Sequence, residues 1–309
     1  MVVLSMITKD SLTKVGDKLG EVLDSTRQIP YKLFVLVDDS KDDTAKFVRE
    51  RLSDKEVVVL RTKAARPSRG AARQTAIDYF LQHTSDEWLM FIDDDVILRN
   101  GWWEEAQRYM AEPRVGLIWG VELTEFWEDR LRYIRARGID PIQYSILNFK
   151  IRGGTHDTLL RRGAIEGVKI PEWNNFYDDA WIKRYVECRG YEYRIVMAGA
   201  VHLRREGASG YSRRDFELMP YVDALLRLQN VGVSSFLKAL FGLPGYLYYG
   251  WKSGSNGFEM WKTRVVYRWK ILRTAAKCRL KPCDVVLRYE QVKRDIATCV
   301  PKKYRHIFE

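Results

Sequence analysis

The sequence predicts an α/β fold with a mostly parallel sheet and helices on both faces, followed by a helical, basic and aromatic C-terminal region. Short apolar or β-branched runs at residues 2–7, 33–37, 57–60, 88–92 and 115–121 read as buried strands. The segments between the early runs, "SLTKVGDKLGEVLDS" and "DDTAKFVRERLSD", space their apolar residues three or four apart behind a Ser or Asp suited to capping a helix. Charge is divided unevenly. Residues 1–200 carry 31 Lys+Arg against 32 Asp+Glu, and residues 201–309 carry 21 against 9, so a body of net −1 precedes a tail of net +12.

The opening "MVVLSMI" is too short for a secretory signal and reads as the first strand. With 46% hydrophobic and 13% aromatic residues, the 309-residue chain can bury a core, which excludes a disordered protein. Cys188, Cys278, Cys283 and Cys299 are spaced too irregularly for a zinc or CxxC motif, so the expectation is reduced thiols in a cytoplasmic setting.

The second strand, "LFVLV", runs into Asp38 and Asp39, and the fourth, "WLMFI", runs into Asp93, Asp94 and Asp95. In open α/β sheets ligands bind beyond the carboxyl ends of strands. Clustered carboxylates there repel one another unless a cation or hydrogen-bond donors compensate. Helix capping competes as an explanation for "VDDS" and is weaker for three aspartates in a row. Further on, "YDDAWIKRYVECRG" opens a helix on Asp178 and Asp179, with Trp181, Ile182, Tyr185 and Val186 facing a core and Gly190 ending it.

In this order "VDDSKDDT", "ARQTAI", "FIDDDV", "GGTHDTLLRRGAI" and "YDDAWIKR" resemble family 2 glycosyltransferases with the GT-A fold, over roughly residues 1–205. The resemblance implies roles at matching positions. Asp38 and Asp39 would read the nucleotide base or ribose, beside a loop at Ser5–Thr8 that includes Ile7. Asp93, Asp94 and Asp95 would form the DxD element, in which one of Asp93 and Asp95 meets the ribose and the other holds a divalent Mn²⁺ or Mg²⁺ bridging the diphosphate, so that both are candidate metal ligands. Asp179 would be the catalytic base, with Asp178 as the alternative because the usual Glu-Asp is Asp-Asp here. His202 in "GAVHLRR" resembles the third metal ligand of some members, and a structural histidine is the competing reading. Arg69 and Arg73 resemble the Arg-bearing helix start near the diphosphate, against a solvated helix face. His156 falls in the acceptor-side region or is a loop residue. The base-binding element lacks the usual Gly and is one residue short, which leaves the placing of Asp42 and Asp43 open.

Residues 1–210 are thus expected to form the catalytic domain and 211–309 a membrane-associated region. "VGVSSFLKALFGLPGYLYYGW", residues 231–251, is 21 residues long with one charge, Lys238. A lysine near the middle of a span costs about 2.5–3.5 kcal/mol, and Gly242, Pro244 and Gly245 break a helix, so a re-entrant or interfacial helical pair is expected. In "FEMWKTRVVYRWKILRTAAKCRLK", Trp261, Val265, Trp269 and Leu272 take one side and Lys262, Arg264, Arg268, Lys270 and Arg273 the other, a pattern suited to an anionic cytoplasmic leaflet or to an ordinary docked helix. "GASGYSRRDF", with Arg213 and Arg214, stands where processive synthases carry an Arg-containing diphosphate motif, without matching its letters.

The resemblance implies a metal-dependent inverting transferase moving a sugar from a nucleotide sugar, GDP-mannose before UDP-sugars, to a lipid-linked glycan or polyprenyl phosphate. A nucleotidyltransferase would carry a Gly-rich, Lys-bearing loop that "SMITKDSLTK" lacks. A nucleic-acid-binding protein would explain the basic tail but not acidic strand ends that repel phosphate; no nucleic-acid partner is expected.

Overall fold

The computed structural model describes residues 1–65, 67–123, 128–203 and 212–308. Eight strands form one sheet: β1 (Val2–Thr8), β2 (Tyr31–Asp38), β3 (Glu56–Leu60), β4 (Trp88–Ile92), β5 (Val96–Leu98), β6 (Val115–Leu123), β7 (Asp157–Arg161) and β8 (Glu192–His202). Their order is β3-β2-β1-β4-β7-β6-β8-β5. The β1–β2, β1–β4, β2–β3 and β6–β8 pairings are parallel, while β7 runs antiparallel between β4 and β6 and β5 runs antiparallel to β8.

The parallel half follows from its residues. Helices cover both faces of a parallel sheet, so its strands are apolar throughout rather than alternating. All five residues of β4 are buried, as are Val3, Leu4, Phe34, Val35 and Leu36. The short strands β5 and β7 were not expected: β5 is an apolar run of only three residues, and β7 is bounded by Asp157 and Arg161.

The chain forms two compact units, Met1–Phe126 with Gly153–Arg204, and Trp127–Arg152 with Arg205–Glu309. The division after Arg204 lies near the expected boundary at 210, but the Glu128–Ala136 and Pro141–Arg152 helices group with the C-terminal region.

In the second unit a capping box between Ser212 and Asp215 starts the Arg213–Leu226 helix. Residues 231–251 give two helices, Val233–Leu240 and Leu243–Ser253, separated around Gly242, with Pro244 in the first turn of the second. Among the described residues no helix is long and apolar enough to cross a membrane. The Gly257–Lys277 helix packs against Leu243–Ser253 where a Cβ on Gly257 would lie 2.1 Å from the Tyr246 carbonyl oxygen.

Two tail expectations change. Arg268, placed on the exposed side of its helix, is buried together with Ile271 and Thr274, while Trp269 is exposed. The expected reduced thiols are not found: among the described residues no cysteine is free, and Cys278 and Cys299, 21 residues apart, are joined in a disulfide. Cys278 follows the Gly257–Lys277 helix and Cys299 ends the Tyr289–Cys299 helix, so their Cα atoms meet 5.0 Å apart for reasons of packing that spacing cannot reveal.

Candidate active site at the carboxyl ends of the strands

The aspartates of the second and fourth strands are knitted through β1. The Asp39 amide donates to the Thr8 carbonyl at 3.1 Å, and the Thr8 hydroxyl donates to Asp94 Oδ2 at 3.2 Å. The Ser11 hydroxyl also hydrogen-bonds Asp94, and Asp39 accepts from the Thr62 amide at 3.2 Å and from the Thr62 hydroxyl. Asp38 is buried and accepts from the Ser40 amide at 2.8 Å.

The expected loop at Ser5–Thr8 is instead strand. Pairing with β4 runs through Ser5 and pairing with β2 carries β1 on to Thr8, so Ser5 lies fully buried between Val35 and Phe91. Ile7 pairs with Val37 and is partly exposed.

Arg73 joins the fourth strand's end to the helix of the acidic motif. The Arg69–His83 helix is capped by Ser68, whose hydroxyl accepts from the Ala71 amide, and one turn on it delivers Arg73 into the interior at 3% exposure. Its Nη2 is 2.8 Å from Asp93 Oδ1, its Nε is 2.6 Å from Asp178 Oδ2, and the guanidinium lies over the Phe91 ring at 4.9 Å. Burial acts to raise the Asp93 pKa, but Arg73, with smaller help from His156 and Arg69, outweighs it and holds the carboxyl well below the ordinary aspartate range. Arg73, expected to face a diphosphate, is committed to two carboxylates instead. Arg69 contributes its charge toward Asp93 and its backbone amide to Asn175 Oδ1 at 3.1 Å.

Asp178 and Asp179 open the Asp178–Cys188 helix. Asp178 is buried against Arg73, whereas Asp179 is partly exposed and accepts from the Ala180 amide at 2.7 Å. Arg214 is exposed in the first turn of its helix, in the second unit.

The third aspartate belongs to a row of alternating carboxylates and imidazoles. Asp95 Oδ1 is 3.2 Å from His202 Nε2, and His202 Nδ1 is 2.8 Å from Glu122 Oε1. Glu122 Oε2 lies 4.0 Å from His156 Nε2, and His156 Nδ1 is 2.7 Å from Asp157 Oδ1. The indole N–H of Trp102 donates to Asp157 Oδ2 at 2.9 Å, and that of Trp119 to His156 at 3.1 Å. Burial would lower the pKa of both imidazoles, but Asp95 and Glu122 raise His202 well above its ordinary value, and Asp157 and Glu122 raise His156. Burial raises Asp157 against the pull of His156 and Trp102.

Residues 7–167, more than half the chain, match one sequence family, described as Glycosyl transferase family 2; Asp178, Asp179 and His202 lie beyond the matched span. The chain belongs to glycosyl transferase family 2.

No curated protein matches. Among solved structures, S. aureus TarS is 13% identical at a TM-score of 0.52, with 99% of this chain and 52% of TarS covered, so the chain spans about half its length. The mannosyltransferase PcManGT from Pyrobaculum calidifontis, in complex with GDP-Man and Mn²⁺, is 16% identical at a TM-score of 0.50, covering 99% of this chain and 84% of that one. A shorter S. aureus TarS in complex with UDP-GlcNAc is 14% identical at 0.51, covering 98% and 82%. These likenesses establish the α/β GT-A fold for this family 2 member.

A divalent cation fits the residues. Among the described residues no group of three or more His, Cys, Asp or Glu is arranged to hold a metal alone. Hard cations at diphosphates commonly take one or two protein ligands and complete their shell from phosphate oxygens and water. Two ligands at right angles, each about 2.1 Å from a Mg²⁺-sized ion, lie roughly 3.0 Å apart. The 3.2 Å between Asp95 and His202 suits such a pair. Asp93, also expected as a ligand, is held by Arg73.

The residues that sequence reasoning missed in this family 2 site are Glu122, Asp157, Trp102, Trp119 and Thr62. Glu122 had a signal, a lone carboxylate in the otherwise apolar run "VGLIWGVEL". The others are visible only through partners distant in the chain.

Proposed function

We propose that the chain is a metal-dependent, inverting glycosyltransferase that moves a sugar from a nucleotide sugar to a lipid-linked glycan or polyprenyl phosphate at the cytoplasmic face of a membrane. The observation that carries this reading is the juxtaposition of Asp95 and His202, with Asp93 and Asp178 gathered on Arg73 at the same sheet edge.

Asp95 and His202 would hold Mn²⁺ or Mg²⁺, which when bound neutralises charge on the departing diphosphate. Asp39, anchored to Thr8 and Thr62, is placed for the nucleoside, and Asp93 for the ribose. Asp179 rather than Asp178 acts as general base, because Asp178 is committed to Arg73. With a glycan acceptor Asp179 takes the hydroxyl's proton, and with a polyprenyl phosphate the anionic phosphate oxygen needs no such transfer; in either case the oxygen attacks the anomeric carbon and the nucleoside diphosphate leaves from the opposite face, inverting the centre.

GDP-mannose is the preferred donor, supported by the likeness to a structure holding GDP-Man and Mn²⁺; the neighbour holding UDP-GlcNAc keeps UDP-sugars as the second reading. The membrane reading is supported by exposed Phe241, Leu247 and Trp251 in the basic second unit.

The test is a donor screen for released nucleoside diphosphate with Mn²⁺ present, with Asp95→Ala and Asp179→Asn in parallel. Each substitution is expected to cut turnover by about 10²–10⁴. Undiminished turnover in both variants would remove the site.

A further inference from the structure

The second unit contains a cavity of about 390 Å³ bordered by the Glu128–Ala136, Val233–Leu240, Leu243–Ser253 and Gly257–Lys277 helices. Arg137, Lys238, Arg264 and Arg268 line it together with Tyr246 and Tyr249, and no carboxylate does. Arg268 is nearly buried and fixed by neutral acceptors, with Nη2 2.6 Å from Gln229 Oε1 and Nη1 2.9 Å from the Asn230 carbonyl. Arg264 shares that Gln229 oxygen at 3.2 Å, and Arg137 lies against the Tyr133 and Tyr249 rings at 6.0 and 5.8 Å. Among the described residues none of the four cations forms a direct ion pair with a carboxylate; the buried Asp223 acts on Arg268 at longer range, beyond their shared partner Gln229. Gathering unpaired positive charge in a concave site is unfavourable without an anion, and guanidinium groups favour phosphate oxygens.

The two helices that supply Lys238 and Tyr246 also carry Leu237 and Leu247 at 41% and 47% exposure, with Phe241 between them at 75% and Trp251 beyond at 79%. A nucleic-acid track asks for cations spread along a groove. Here they converge in one pocket flanked by exposed apolar side chains, the pattern of a lipid whose head is charged and whose tail is not.

We propose that this pocket receives the phosphate-bearing head of a lipid. The phosphate can belong to a polyprenyl phosphate or to a bulk anionic lipid, and the chemistry of recognition is the same. The assignment rests on the membrane-facing reading of the second unit and deepens it by naming the residues.

The full chain is floated with vesicles of phosphatidylcholine alone, with added phosphatidylglycerol, or with added polyprenyl phosphate. Binding is expected to a set whose phosphate headgroup is net anionic and not to the zwitterionic one; polyprenyl phosphate alone identifies the acceptor, and both identify a general headgroup site. Arg137→Gln with Lys238→Gln, both exposed side chains, is expected to weaken binding about thirtyfold, about fivefold per charge. The pair Lys277→Gln and Lys302→Gln, exposed outside the pocket, is expected to stay within about twofold, and Arg264→Gln checks the pocket independently. Equal loss in the two pairs, equal binding to zwitterionic vesicles, or tighter binding to a single-stranded RNA than to either anionic vesicle would overturn the assignment. The readout is binding, so its failure leaves the transfer chemistry standing, and inactivity of the donor screen leaves the pocket's assignment standing.

Discussion

Replacing Arg73 by Met removes the cation that two carboxylates share and keeps much of the side chain's volume. Breaking a buried ion pair by deleting one partner costs roughly 3–5 kcal/mol, because an uncompensated charge remains inside. Asp178 keeps 6% side-chain exposure and incurs that cost, whereas Asp93 keeps 28% and regains solvation. The expected loss therefore lies near the lower end, about 3 kcal/mol, equivalent to a fall in Tm of roughly 6–12 °C for a domain of this size. Urea unfolding followed by tryptophan fluorescence measures it as a shift in midpoint at unchanged slope. The sign of the pH dependence is fixed by Asp93. Its pKa in the folded protein is depressed, so its stabilising contribution is present above the unfolded value of about 3.9 and is lost as pH falls through the lower folded value. The Arg73→Met deficit should accordingly be largest near neutrality and shrink on acidification below about 3.9. A deficit under about 1 kcal/mol at neutral pH, or one constant on acidification, would refute the assignment of Arg73 as the tie between strand end and helix start.

Glu122→Gln keeps the size but not the charge beside His202 Nδ1, and should weaken Mn²⁺ binding about 10–100-fold, read by electron paramagnetic resonance of the free ion, while the fold survives. Gly120→Ala places a Cβ 1.9 Å from Asp157 Oδ2 and 2.3 Å from the Trp102 indole nitrogen, so a loss of about 3 kcal/mol is expected in thermal unfolding. Asp178→Asn and Asp179→Asn should separate: the first lowers stability through Arg73, and the second lowers turnover by about 10²–10⁴ with nucleotide affinity kept, as calorimetry and product release would show.

The parts of the fold legible in the sequence were those whose pattern is local. "LFVLV" and "WLMFI" are buried on both faces and read as central strands without knowledge of their neighbours. β5 and β7, at three and five residues, depend on pairing partners far along the chain, and no periodicity marks them. The acidic strand ends were legible for the same local reason, since like charges after an apolar run demand compensation. The compensating groups were not, because Thr8, Arg73 and His202 approach them from three separate elements. Ser5 was read as part of a loop because nothing local shows that the first strand pairs with β4 as far as Ser5 and with β2 as far as Thr8.

Three adjacent aspartates can coexist because each is given a different partner, and the register of the sheet decides which. Asp93 meets Arg73, Asp94 meets the Thr8 and Ser11 hydroxyls, and Asp95 meets His202. The last pairing depends on β5, which sets Val96 opposite His202 while the Leu203 amide donates to the Asp95 carbonyl at 2.7 Å. Glu122 arrives from the other side of β8, opposite Ala200, just past an irregularity in the β6–β8 ladder. Successive strand residues point to opposite faces, so a slip of one residue between β5 and β8 would carry the His202 imidazole away from Asp95. The site's geometry is therefore held by the pairing of a three-residue strand, and the carboxylate triplet is only as well placed as that edge.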